Sequence, residues 1–352
     1  MKIVAAEAFG VELTLAEPFS IAYSTIEKTV NYFLRLETAD GLVGYGCSAF
    51  DQEVTNENEK TIAKALNEVA IPILLGRDLF HYKSVIKEIR DAIANEPTAL
   101  CGVDMALFDL LAKNAKLPLY RLLGKKKERM KTSITIGIMP LKESVEKALS
   151  WKKKGYLALK IKGGLSVSQD QEKLIKIREA VGKETEIYFD ANQGYTPQEA
   201  KEVIDTLVNI GAEFIEQPCK KENYKAFSEL RGSLPIMADE SVLNSTDALK
   251  LISCGGADMY NVKLAKTGGI LEAFELDKIS SQVNSPTMVG CMDEAALGVS
   301  AALHFALSSN NVLYADLDGH VEFIDDPSYD AVIIKEGYIY PKEAYGLGFS
   351  FK

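Results

Sequence analysis

The sequence predicts an α/β protein, a (β/α)8 barrel of the TIM type carrying an N-terminal α+β capping domain. Three observations lead there. The chain has 352 residues, more than one ordinary domain needs and enough for a barrel of about 250 residues with a smaller partner. Its opening third passes from β-rich to helical patterning, as a compact α+β unit would. After Lys131, eight short apolar β runs alternate with charged amphipathic stretches. That alternation implies right-handed crossovers and a parallel sheet, which eight units close into a barrel.

In order, KIVAAEAFGVEL and NYFLRLETADGLVGYGCS read as strands of an antiparallel meander, with Ala39-Asp40-Gly41 as the turn. From about Asn58 to Leu123 the apolar spacing is helical, in ALNEVAIPILL, SVIKEIRDAI and the long ALCGVDMALFDLLAKNA. The barrel runs are SITIGI, LALKIK, EIYFDA, EFIEQ, LPIMADE, ADMYNVK, PTMVG and NVLYAD. The expected division is a capping domain over 1–125, a barrel over 126–318, and an extended tail over 319–352 that packs back on the capping domain.

Composition narrows the function. Apolar residues are 47% and charged residues 26% of the chain, values of a folded globular protein and not of a disordered one. The net charge is −10, and the basic residues fall in short clusters such as Lys152-Lys153-Lys154 without interleaved aromatics, which argues against nucleic acid. No stretch approaches the roughly 18 apolar residues of a membrane span, so a cytoplasmic protein without a membrane partner is expected. Cys47, Cys101, Cys219, Cys254 and Cys291 form no CxxC pair, so reduced thiols are expected.

The chemistry lies at the ends of the barrel runs. From Lys162 to Asp190 is 28 residues, then 26 to Glu216, 23 to Asp239 and 24 to Lys263, each close to one βα unit. A barrel turns that linear spacing into a ring at the mouth where barrel enzymes place their sites. Asp190, Glu216 and Asp239 come from consecutive strands, and three adjacent carboxylates repel one another unless a cation joins them. Hard oxygen ligands select Mg²⁺. A helix-capping role would explain one such acid but not three in succession.

Lys160 and Lys162 alternate along the second barrel strand, so both project into the interior, and Lys263 at the end of the sixth strand should face them. A cation nearby would lower a lysine from its ordinary value of about 10.4 and free an amine to act as base. Amines on opposite sides of one carbon could remove a proton from one face and return it to the other. The dianion formed when a proton leaves the carbon beside a carboxylate needs strong stabilisation, for which Mg²⁺ and the Lys160 ammonium are the groups at hand.

LALKIKGG, YFDANQGY, FIEQP, ADES and NVKLAKTGG, with ALCGVDMALFDLLAKNAKLPLYRLLG between the two domains, resemble the muconate-lactonizing subgroup of the enolase superfamily over nearly the whole chain. The resemblance implies Lys162 and Lys263 as the acid/base pair, Asp190, Glu216 and Asp239 as Mg²⁺ ligands, and Asn192 and Glu240 as groups that orient them. The DLD sequence at Asp316 to Asp318 is similar to the D-x-D by which dipeptide epimerases hold a substrate's free α-ammonium. It implies inversion at the C-terminal residue of a dipeptide, with o-succinylbenzoate synthase or a cycloisomerase as the alternative in the subgroup and a metal-free Schiff-base aldolase barrel outside it. Thr135 also falls among the implied substrate contacts.

Relatives that epimerise Ala-Glu carry an Arg where this chain has Ser24, and CMDE sets Asp293 and Glu294 near the substrate side chain, which speaks against a glutamyl substrate and leaves an uncharged or cationic residue. The loop from Ile21 to Glu27 is implied as a lid. Cys291 is expected to pack rather than react. The sequence leaves open a homo-oligomer.

Overall fold

The computed structural model describes residues 1–22 and 24–351. Tyr23, inside the expected lid, lies outside them. Strands β1 (Ile3–Ser20), β2 (Thr25–Thr38) and β3 (Val43–Ala49) form an antiparallel meander. The turn before β3 is the one the sequence marks: Gly41 has φ 80° and its N–H donates to the Thr38 carbonyl at 2.8 Å, a conformation that favours glycine.

The meander lies against the helix Pro97–Asn114, which is buried along almost its whole length. Contact is so close that a Cβ on Gly46 would sit 1.9 Å from the Gly102 carbonyl oxygen. This helix ties three parts of the molecule together. Both oxygens of buried Glu57 accept from the Thr98 N–H at 3.0 Å, satisfying its N-terminus. Asp104 accepts from the Ile270 N–H at 2.6 Å, at the start of the barrel helix Ile270–Gln282. Asp109 accepts from the Tyr45 and Leu347 N–H groups at 2.9 and 2.8 Å, linking β3 to the C-terminal segment.

After the short β4 (Met130–Lys131) come the eight barrel strands: β5 (Ser133–Ile136), β6 (Ala158–Lys162), β7 (Glu186–Asp190), β8 (Phe214–Glu216), β9 (Ile236–Ala238), β10 (Met259–Val262), β11 (Thr287–Gly290) and β12 (Val312–Asp316). They pair in parallel in sequence order, and a helix joins each consecutive pair. Every apolar run singled out in the sequence supplies one strand. The seam between β12 and β5 is bridged by side chains: the Leu317 N–H donates to Thr132 Oγ1 (2.9 Å), Ser133 Oγ to Asp316 Oδ1 (2.6 Å), and the Thr135 N–H to Asp318 Oδ2 (2.6 Å).

Inside the barrel, Ala158, Tyr188, Phe214, Met237, Met259, Met288 and Tyr314 pack into an apolar floor. Two residues further along the same strands stand Lys160, Asp190, Glu216, Asp239, Asn261, Gly290 and Asp316. The period of two along a strand stacks these sets as successive interior layers.

The tail is not simply extended. Strands β13 (Val332–Lys335) and β14 (Tyr338–Pro341) form a hairpin whose second strand pairs antiparallel with β4, because Ile339 can bury its side chain there. Beyond it, the rings of Phe349 and Phe351 pack against Tyr45 and Phe33 of the capping sheet. All five cysteines are free. Among the described residues no helix is long and apolar enough to cross a membrane.

Candidate active site

In the order of the sheet, β6 and β10 are four strands apart among eight, so Lys162 at the end of β6 and Lys263 just after β10 rise from opposite sides of the barrel. The three acids lie on the arc between them, at the ends of β7, β8 and β9. Lys162 Nζ is 2.8 Å from Asp190 Oδ2 and Lys263 Nζ is 2.8 Å from Asp239 Oδ2, so each amine touches the acid nearest its own flank. Lys160, only 2% exposed, points up the middle and meets Glu216 Oε2 at 2.8 Å, Asp316 Oδ2 at 2.8 Å and Asp190 Oδ2 at 3.1 Å.

Burial opposes charge on every member, and the neighbours decide the outcome. Burial alone would lower Lys160, but Asp316, Glu216 and Asp190 outweigh it and hold the ammonium well above the usual lysine range. Lys263 is likewise raised, by Asp239 and Glu216 against burial. The depression expected for this lysine is therefore not something the protein's own groups produce, since Asp239 and Glu216 outweigh both burial and the neighbouring Lys160 ammonium. Burial and the charge of Asp190 push Glu216 up to about 8, while Lys162 and Lys160 overcome burial to hold Asp190 low.

Asp190, Glu216 and Asp239 offer carboxylate oxygens that all lie within 4.8 Å of one another. Glu216 Oε2 accepts no well-formed hydrogen bond although Lys160 Nζ is 2.8 Å away. A buried carboxylate oxygen with only an off-angle ammonium beside it is incompletely satisfied, and three oxygen donors with one such atom are the set a hard divalent cation takes. The residues fit Mg²⁺.

Each acid is braced by a neighbour. The Asn192 N–H donates to Asp190 Oδ1 at 2.9 Å and its side chain joins Lys162 (3.0 Å) to Glu240 (3.1 Å). Asn192 does this from a left-handed backbone, φ 40°, which asparagine tolerates better than most residues.

Three further supports carry no signal in the sequence that marks their role. Lys266 is buried and donates to the Asp239 carboxylate and carbonyl and to the Asn261 carbonyl. Asn261 Nδ2 donates to Glu216 Oε1 at 2.7 Å. Gln217, with φ 37°, accepts from the Asp239 and Ser241 N–H groups through one oxygen. All three lie in motifs already quoted, NVKLAK and EQP, one to three residues from a marked side chain.

A cavity over this ring is lined by Thr135, Asp293, Asp316 and Asp318, with Leu15, Phe19 and Ile21 from the capping hairpin. Burial first, then Asp316, raises Asp318 to about 7, whereas Lys160 and Ser133 hold Asp316 low against burial. Cys291 also lines the cavity; its Sγ accepts from the Gly319 N–H at 3.3 Å and burial drives its thiol well above the usual range, the setting of a packed thiol and not of a nucleophile.

Two of the marked substrate contacts are displaced from this cavity. Ser24 lines an adjoining cleft instead, since the tip of the capping hairpin is turned by a bond from the Ile21 N–H to the Ser24 carbonyl and pinned to the barrel by one from the Ile138 N–H to the Ser20 carbonyl. Glu294 is 4% exposed and points at the helix Ala296–Ala306, where its Oε2 would be 2.3 Å from a Cβ on Gly298. Asn31 of β2 fixes that orientation by donating to the Asp293 carbonyl (3.2 Å) and accepting from the Ala295 N–H (2.7 Å).

Residues 143–352 match the enolase C-terminal domain-like family, and residues 4–124 match the mandelate racemase / muconate lactonizing enzyme N-terminal domain. The chain belongs to the enolase superfamily. Within the superfamily it is 37% identical to the L-Lys-D/L-Arg epimerase of Desulforapulum autotrophicum over 99% of both chains. Its fold superimposes on the substrate-liganded L-Ala-D/L-Glu epimerase from Bacillus subtilis with a TM-score of 0.96 at 31% identity, covering 99% of this chain and 98% of the other. It is similar too to the dipeptide epimerase from Enterococcus faecalis complexed with Mg and L-Leu-L-Tyr, with a TM-score of 0.94 and 33% identity over 99% of both chains. This superfamily member thus combines the barrel and the capping domain the sequence implied.

Proposed function

We propose that the protein is a Mg²⁺-dependent dipeptide epimerase that inverts the α-carbon of the C-terminal residue by a 1,1-proton transfer between Lys162 and Lys263. The observation that carries the reading is the placement of those two amines four strands apart, with the three acids on the arc between them. One amine, neutral, takes the α-proton; the C–H pair moves into the carboxylate as an enediolate; the opposite ammonium delivers a proton to the other face. Asp190, Glu216 and Asp239 would hold the cation, which when bound supplies positive charge against the developing dianion.

Lys160 has the environment of a permanent cation, being buried among Asp316, Glu216 and Asp190, and stabilises the same charge instead of moving a proton. Asp318, with Asp316 beside it, takes the substrate's α-ammonium. Asp316 is partly committed to Lys160 and Ser133, so Asp318 carries more of that contact. Relatives crystallised with Mg and a dipeptide support a dipeptide as the substrate.

The test is turnover of dipeptides in D₂O. Deuterium at the α-carbon of the C-terminal residue, with inversion, is expected. Failure of every dipeptide to exchange would return the reading to a lyase or cycloisomerase of the superfamily, and activity that survives EDTA would point to Schiff-base chemistry.

A further inference from the structure

Between the catalytic cavity and the capping sheet lies a second cleft that shares Asp51 and Asp293 with the cavity. Glu12, Glu53 and Glu59 also line it, and Lys28 is the one cation among its described lining residues. Lys28 is already paired with Glu12 at 2.7 Å. The carboxylate of Asp293 makes no hydrogen bond or ion pair with any described residue; only its backbone carbonyl is engaged, by Asn31. It stands where the cleft opens toward the two catalytic lysines, each of which acts on it electrostatically.

Consider what each kind of side chain on the inverted residue would meet there. A glutamyl carboxylate would add a further negative charge beside Asp51 and Asp293, with no uncommitted cation among the cleft's described lining residues, and like charges in a partly desolvated site repel. An apolar side chain would strip water from the Asp293 carboxylate and return no partner, which is costly for a charged acceptor. A lysyl or arginyl side chain supplies the missing donor, while Ile21 and Val54 on the cavity wall offer apolar surface to its methylene stem.

We propose that the preferred substrates carry a cationic side chain on the residue whose α-carbon is inverted, and that Asp293, at the junction of cavity and cleft, is the residue that selects them. This rests on the epimerase reading above and adds the substrate class. Asp51 faces the same junction; its Oδ1 also accepts from the Glu53 N–H at 2.9 Å, so Asp293 is the cleaner position to change.

The experiment compares L-Ala-L-Lys, L-Ala-L-Leu and L-Ala-L-Glu on the magnesium-loaded protein, by α-proton exchange in D₂O and by calorimetric binding to a Lys263→Ala variant that cannot turn them over. The expected order of kcat/KM is Lys first, with Leu at least about tenfold lower and Glu lower again. Asp293→Asn should cost L-Ala-L-Lys about tenfold or more, chiefly through KM, and raise kcat/KM for L-Ala-L-Leu a few-fold, because the charge that an apolar side chain desolvates is gone. Faster exchange of the leucyl or glutamyl dipeptide by the parent, or an Asp293→Asn variant that keeps the parent's ratio of Lys to Leu, overturns the specificity inference while the epimerase reading stands. Exchange of none of the three, with equally weak binding, overturns both.

Discussion

The barrel interior is built twice from the same strands, and its two storeys have opposite character. The floor is apolar and stacked, with the rings of Tyr188 and Phe214 4.6 Å apart and Tyr314 edge-on to Phe214 at 5.3 Å. The rim, one alternation further along, holds Lys160, Asp190, Glu216 and Asp239, all nearly inaccessible. Burying such charges costs free energy that only their mutual pairing offsets, whereas burying the floor stabilises by roughly 25 cal/mol per Å². The contrast teaches that one layer holds the barrel together so that the next can keep charges where a folding argument alone would not put them.

If that division is right, mutations in the two storeys should separate activity from stability. The largest effect is expected from Lys162→Ala or Lys263→Ala, which should lower kcat by about 10⁴-fold in the D₂O exchange assay while shifting the Mg²⁺-loaded Tm by only a few degrees. A comparable loss of Tm would put the lysines in the floor's category. Phe214→Ala should behave in the opposite way. It should cost about 3–5 kcal/mol in a denaturant titration and leave kcat/KM of the folded fraction near the parent's value.

Removing metal tests the rim as a whole. EDTA should abolish exchange, and Mg²⁺ at about 100 times its Kd should return activity and add about 2.7 kcal/mol of stability through linkage. A Tm indifferent to Mg²⁺ would mean that the three acids are satisfied by lysines alone.

Smaller effects are expected at the seam. Asp318→Asn should raise KM for a dipeptide about tenfold, the size of one charge-assisted contact, with kcat changed less. The smallest effect is in pH. Asp318 has its carboxyl raised to about 7, so it is ionised above and neutral below that point; the contact with the ammonium is present on the alkaline side and lost as pH falls. KM should therefore rise a few-fold between pH 8 and pH 6.5, and the Asp318→Asn variant should lose that dependence. A KM that falls over the same interval would remove Asp318 from substrate binding.

The sequence made some of this legible for a definite reason. Within a strand, alternation dictates direction, so Lys160, Lys162, Asp190 and Glu216 could be assigned to the interior from the pattern alone. Past the strand ends that rule stops. Glu294 is turned away by Asn31, a residue more than 250 positions distant whose side chain grips the loop on both sides of it, and no local pattern encodes such a contact. Ser24 is carried off the cavity by the hairpin turn at Ile21. Lys266 carries no local signal of its role, because its spacing of three from Lys263 does not reveal that the short helix Leu264–Thr267 brings it back to Asp239. The tail hid its hairpin because Glu336-Gly337 supplies a turn, both residues with positive φ, in a stretch too short for a clear period.

The bonds that fasten the last strand to the first draw on the same two acids, Asp316 through Ser133 and Asp318 through Thr135. If the proposed ammonium contact holds, a descendant of this chain that abandoned it would still find those positions hard to vary, because exchanging either acid loosens the join of the cylinder. Retention of the pair through divergence would then record architecture as much as ligand preference, and a related sequence should be assigned a substrate from them only together with what stands at 133 and 135.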